Sequence, residues 1–252
     1  MDVPKVEVLG LEVSRLTPER ALALVEELAD APGSATIAFA NAHTLNLACD
    51  DPGYLAVLRR FSAVFNDGTG MAIAARLKRS PFPANLNGSD FSPRILELCA
   101  RRGWSVYLLG SKPGVAERAA ERLKAQIPGL EIAGCHHGFL APDENEAVAR
   151  RVRESGAEVV FVAMGNPLQE LWLDRHLAAT GARLGVGVGA FLDFAAGEVP
   201  RAPAWMNRWG IEWIYRLWHE PRRLWRRYLL GIPLFLWRVS RALLAGRRAR
   251  PR

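Results

Sequence analysis

Short apolar runs and helical stretches alternate along most of this chain, and that alternation limits the fold more than any other feature. ATIAFA (35–40), SAVF (62–65), WSVYLLG (104–110), LEIAGC (130–135), AEVVFVAM (157–164) and RLGVGVG (183–189) read as buried strands. Helical patterns lie between them near 51–60, 70–78, 91–102, 114–126, 143–154 and 167–179. A short alternating opening, VEVLGLEVS, precedes Thr17 and Pro18, which suit the N-cap and first residue of a helix to about Asp30. The pattern predicts an α/β, doubly wound, largely parallel Rossmann-like sheet with helices on both faces. A chain of 252 residues accommodates one such domain, residues 1–200, and a helical appendage, residues 201–252.

In open α/β sheets, ligands bind outside the carboxyl ends of the strands. That rule selects Asn41, Asn66-Asp67-Gly68, Gly110-Ser111, Gly165-Asn166-Pro167 with Gln169, and Gly187 and Gly189 with Asp193 as candidates. Asp67 sits on a strand-to-helix turn where Gly68 and Gly70 permit close backbone approach. A carboxylate there can take a proton from an attacking hydroxyl, or it can merely cap the next helix; position alone leaves both uses open. LLGSKPGVAERAAERL presents a glycine turn and a helix N-terminus suited to phosphate, without matching the Walker or GxGxxG patterns. Gln169 at the head of a helix can hydrogen-bond a sugar or nucleotide, and for Glu170 beside it satisfying the helix dipole is a sufficient role. Cys135, His136 and His137 invite a metal reading, but adjacent residues rarely converge on one ion, so no metal site is expected.

Charge divides sharply along the chain. Residues 201–252 hold 13 Arg, no Lys and only Glu212 and Glu220, a net +11, whereas the remainder sums to −4. Six of the eight tryptophans share the tail: Trp205, Trp209, Trp213, Trp218, Trp225 and Trp237. Pro203 can open a helix with Trp205, Trp209, Trp213 and Leu217 on one face, and Pro221 ends it and opens a second. Tryptophan belongs at membrane interfaces, and basic side chains gain roughly 1 kcal/mol each near an anionic leaflet. The longest apolar run, Tyr228 to Trp237, is interrupted by Gly231 and Pro233 and predicts a tail that lies on a bilayer without crossing it. The amino terminus has no secretory pattern, and Cys49, Cys99 and Cys135 fit a reducing cytoplasm.

NDGTGMAIAARL, LLGSKPGVAERAAERL and AMGNPLQELWL resemble the DG-G, GS-P-G and G-P-QE elements of the WecG/TagA/CpsF glycosyltransferases. GVGVGAFLDFAAGEVPRAPAWMNRWGIEWIYRLWHEPRRLWRRYL is similar to that family's closing signature, so the resemblance spans essentially the whole chain. It implies inverting, metal-independent and cofactor-free transfer of a hexose or N-acetylhexosamine, of the N-acetylmannosamine type, from UDP to a saccharide on undecaprenyl diphosphate. It further implies that Asp67 is the general base, that Asn41 and Gln169 orient the substrates, and that Arg216, Arg223 and Arg226 close over the leaving diphosphate. The implied setting is cell-surface polysaccharide synthesis at the cytoplasmic face of the inner membrane, with peripheral attachment and homo-oligomerisation left open.

Phe39 stands where the family often has Thr, and Asn85 where it often has Arg before Gly88-Ser89-Asp90. These departures admit a UDP-glucose or UDP-uronic acid donor for exopolysaccharide assembly. Two readings of other classes compete. A non-catalytic nucleotide-sugar-binding protein would follow from the same changes, and a nucleic-acid binder would use the Arg and Trp tail; the latter leaves the body motifs without a purpose, so no nucleic acid is expected.

Overall fold

A computed structural model describes residues 3–203, 206 and 211–248. The body alternates as expected: α1 (Pro18–Asp30), β3 (Ala35–Ala40), α2 (Ala42–Asp50), α3 (Pro52–Arg60), β4 (Ala63–Asn66), α4 (Gly68–Leu77), α5 (Gly88–Arg102), β5 (Val106–Gly110), α6 (Val115–Gln126), β6 (Ile132–His136), α7 (Asn145–Glu154), β7 (Val159–Ala163), α8 (Leu168–Thr180), β8 (Leu184–Gly187) and α9 (Phe191–Ala196). The opening segment forms an antiparallel hairpin, β1 (Lys5–Val8) and β2 (Leu11–Ser14). Six strands, β3 to β8, make one parallel sheet in the order β4-β3-β8-β7-β5-β6. Helix α2 is additional to the expected elements. Asn41 starts it through a capping box with Thr44, a signal hidden in sequence because the third helical residue is not Glu or Gln.

Alternate strand residues feed two cores. Ile37, Phe39, Phe65, Leu108, Phe161 and Val186 face α1, α5, α6 and α9. Ala38, Ala40, Val64, Leu109, Val160 and Val162 face α2, α3, α4, α7, α8 and the hairpin. Strands buried on both faces explain why the runs read as continuous apolar stretches with no polar alternation.

The tail contributes α10 (Glu212–His219), α11 (Pro221–Trp225), a π-helical turn (Arg226–Leu230) and α12 (Gly231–Arg248). Pro221 begins α11 as expected. Of the anticipated tryptophan face, Trp205 and Trp209 lie outside the described residues, as does the Arg223 side chain.

Gly231 and Pro233 do not interrupt the tail, contrary to the sequence expectation. The wider π turn stands just before Pro233, where an ordinary α turn would drive the ring against the carbonyl of Leu229. The resulting helical stretch, Arg226–Ala245, has 20 residues and a mean hydropathy of 1.3, long and apolar enough by those measures to cross a membrane. The length argument against crossing therefore fails. One face of α12 is nonetheless held by the body. Phe235 and Val239 are buried in the second core. Asn46 Nδ2 donates to Gly231 O at 2.7 Å, and Arg238 donates to Asn46 O at 2.8 Å and pairs with Asp50.

Candidate active site

The carboxyl ends of β3, β4, β5, β7 and β8 open into one cleft of about 1130 Å³, whose far wall is built by the tail. Asn41, Asp67, Ser111, Gly165, Gln169, Gly189, Asp193, Arg216 and Arg226 all line it. Gly68, Gly110 and Pro167 are not on its lining and instead shape the turns behind it. Gly110 has φ +151, and a Cβ there would meet Ala163 O at 2.5 Å, so the close approach of β5 to β7 requires glycine.

The geometry separates the two uses of Asp67. Its carboxylate makes no cap hydrogen bond to α4; Gly68 N, at φ +84, donates instead to Asn85 Oδ1 at 2.9 Å. Asn85 thus pins the turn that carries Asp67. Asn41 Oδ1 accepts from His43 N at 3.0 Å and Thr44 N at 3.1 Å, which turns its Nδ2 outward to donate to Asp67 Oδ2 at 3.1 Å. One carboxylate oxygen is oriented by an amide that cannot flip without losing its helix cap, and the group lines the cleft.

Gln169 is buried, with both ends of its carboxamide engaged. Its Oε1 accepts from Gly165 N at 3.2 Å and Gly189 N at 2.9 Å, clamping the loops after β7 and β8, and its Nε2 donates to Glu170 Oε1 at 2.6 Å. Glu170 does more than serve the helix dipole. It is fully buried and also accepts from Asn166 Nδ2 at 2.7 Å and Tyr54 Oη at 3.0 Å. Tyr54 lies 116 residues away, so sequence carried no sign of this network.

Burial raises the Glu170 carboxyl to about 7, against the pull of donors Gln169 and Tyr54. A carboxyl raised on folding stabilises the fold below its unfolded value near 4.5, and this contribution is lost as pH rises toward 7. Unfolding free energy is expected to fall over that window by at most ~1.4 kcal/mol per pH unit from this group. Denaturant titrations of wild type and Glu170→Gln from pH 4.5 to 7 check it; parallel profiles would refute it.

Ser111 donates its hydroxyl to Asp193, joining the β5 turn to α9. On the tail side, Arg216 stacks over the Phe194 ring at 5.4 Å, and its Nε is buried without a hydrogen-bond partner among the described residues. Arg226 stacks over Trp225 at 5.2 Å. Glu212, at the head of α10, has its carboxyl held above the usual range by burial, opposed by Arg216 and reinforced by Asp90 and Asp67. Arg216, His219, Glu220, Leu224 and Arg226 of the tail line the same cleft as Asp67. His43 is pushed down to about 4 by burial and by Arg227, so it is neutral near pH 7. Arg227, His43, Phe139 and Leu168 also line the cleft and were not selected from sequence.

Residues 6–249 match the glycosyl transferase WecG/TagA/CpsF family. The chain belongs to that family. It is a glycosyltransferase with an α/β body, as the motifs implied. A Staphylococcus aureus relative, N-acetylglucosaminyldiphosphoundecaprenol N-acetyl-beta-D-mannosaminyltransferase, is 30% identical over 243 residues, covering 94% of this chain and 93% of its own. A Bacillus spizizenii protein with the same description is 33% identical over 189 residues, covering 75% of this chain and 72% of its own. The match takes in both the body motifs and the tail, so both belong to one enzyme.

Proposed function

We propose that this glycosyltransferase moves a sugar from a UDP-sugar to a saccharide carried on undecaprenyl diphosphate, with inversion at the anomeric carbon and Asp67 as general base. The observation that carries the reading is the Asn41–Asp67 pair at the head of the cleft, with a carboxylate that caps nothing. The acceptor hydroxyl gives its proton to Asp67 as its oxygen bonds to the anomeric carbon, and the bond from that carbon to the diphosphate oxygen breaks on the opposite face. UDP departs as the anion. Arg216 and Arg226 on the tail wall are placed to offset its charge.

The relatives' names supply the acceptor type and favour an N-acetylmannosamine donor. A glucosyl or uronic donor is the second reading. It is favoured by Phe39, which lines the cleft from a buried aromatic trio with Phe65 and Phe91, at ring separations of 5.9 and 6.3 Å, and offers donor sugars no hydroxyl.

An apolar helix and a lipid-linked substrate fit membrane association, and we place the protein at the inner face of the plasma membrane. Ile214, Trp218, Trp225, Leu229, Trp237 and Leu244 are exposed along the tail, Trp218 at 82%. With interleaved arginines they form a surface suited to an anionic interface.

The test is a set of UDP-sugars incubated with a synthetic prenyl-diphosphate saccharide and protein on anionic vesicles. One donor is expected to give a product of inverted configuration by NMR, and the protein is expected to sediment with the vesicles at low salt. No transfer from any UDP-sugar would overturn the UDP-sugar donor and the mechanism built on it, and protein left in the supernatant would overturn the membrane reading.

A further inference from the structure

The cleft walls carry large exposed apolar side chains to which the transfer step assigns no role. Phe139, in the loop after β6, is 67% exposed, and Leu168, the first residue of α8, is 59% exposed. On the tail side Leu230 and Leu234 are 57% and 39% exposed, while Leu47 of α2, partly buried, lines the same space. An isolated exposed leucine needs no explanation, but these converge from both body and tail on one concavity. They also sit beside charge. Arg226 and Arg227 lie one helical turn before Leu230 and line the cleft with it.

Resting on the acceptor assignment above, we propose that this apolar groove, between Phe139 and Leu168 on the body and Leu230 and Leu234 on the tail, receives the first isoprene units of the acceptor's polyprenyl chain. A polyprenyl diphosphate is an anion joined directly to a hydrocarbon, and the cleft repeats that order as cations followed by apolar walls. The body wall is as much part of the lipid site as the tail. Because the two walls belong to different parts of the chain, the groove exists only when α12 is docked through Phe235. A lipid-linked acceptor is thereby distinguished from a free saccharide diphosphate by contacts outside the reacting sugar.

The test uses full-length Phe139→Ser/Leu168→Ser, whose exposed positions should leave the unfolding midpoint unchanged. Two acceptors share one diphospho-saccharide head, one with a long polyprenyl chain and one with a short water-soluble alkyl chain. The variant is expected to raise KM for the long acceptor about tenfold or more beyond any change in KM for the short one. Equal losses on both acceptors would assign Phe139 to stacking on sugar and overturn the proposal; so would no change on either. Binding of undecaprenyl diphosphate without a saccharide, compared with inorganic diphosphate, separates this inference from the enzymatic one. A wild-type preference for the prenyl compound that the variant loses supports the groove even if no UDP-sugar is turned over, and absence of that preference in the wild type overturns it.

Discussion

Asp67→Asn is expected to lower the transfer rate by about 10²–10⁴-fold, the range typical of losing a positioned general base. The substitution is nearly isosteric. An asparagine oxygen can still accept from Asn41 Nδ2, and the turn at Gly68 is held by Asn85 and not by the Asp67 side chain. Folding and donor affinity are therefore expected to stay close to wild type, so the loss should appear in kcat with KM for the donor little changed. Unfolding curves, donor binding by calorimetry and single-turnover rates check the three statements separately. A variant with wild-type turnover would remove Asp67 from the chemistry, and one that no longer binds donor would make it a ligand of the donor.

Phe235→Ala is expected to destabilise the protein by ~3–5 kcal/mol, as for other buried aromatic truncations, and to release the tail from the body. Phe235 is completely buried in the second core, close enough to α4 that a Cβ on Gly70 would lie 3.7 Å from its ring. Around it, Asn46 to Gly231 O and Arg238 to Asn46 and Asp50 are polar contacts at the edge of the same interface. They direct the helix but cannot replace the lost apolar area. The body retains its own two cores, so the parallel sheet should survive while α12 loses hydrogen-exchange protection. Arg216 and Arg226 travel with the tail, and turnover is expected to fall even on a short soluble acceptor. Full turnover with an unprotected α12 would reduce the tail to an anchor.

Glu170 shows how far local reasoning reaches. As a helix-first-turn acid it looked like an ordinary dipole partner, and only the approach of Tyr54 from α3 revealed a buried carboxylate that holds Asn166 and Gln169 in place. Gln169 itself lines the cleft, yet its hydrogen bonds run largely into the protein. The tail teaches the same lesson in reverse. Gly231 and Pro233 are helix breakers by propensity, but packing of Phe235 and Val239 and a π turn outweigh a local penalty of ~3 kcal/mol for proline.

The sequence by itself determined the sheet, the strand ends that line the cleft and the split between an acidic body and a basic, tryptophan-rich tail, because burial periodicity and charge are local properties written residue by residue. Its motifs determined the family. Tertiary structure alone decided that Asp67 is spared from capping, that Gln169 and Glu170 form one clamp, and that the tail helix runs unbroken through Gly231 and Pro233 and docks on the body beside the cleft. Each of these depends on groups far apart in the chain meeting at hydrogen-bond or van der Waals distance, and no local pattern encodes such a meeting.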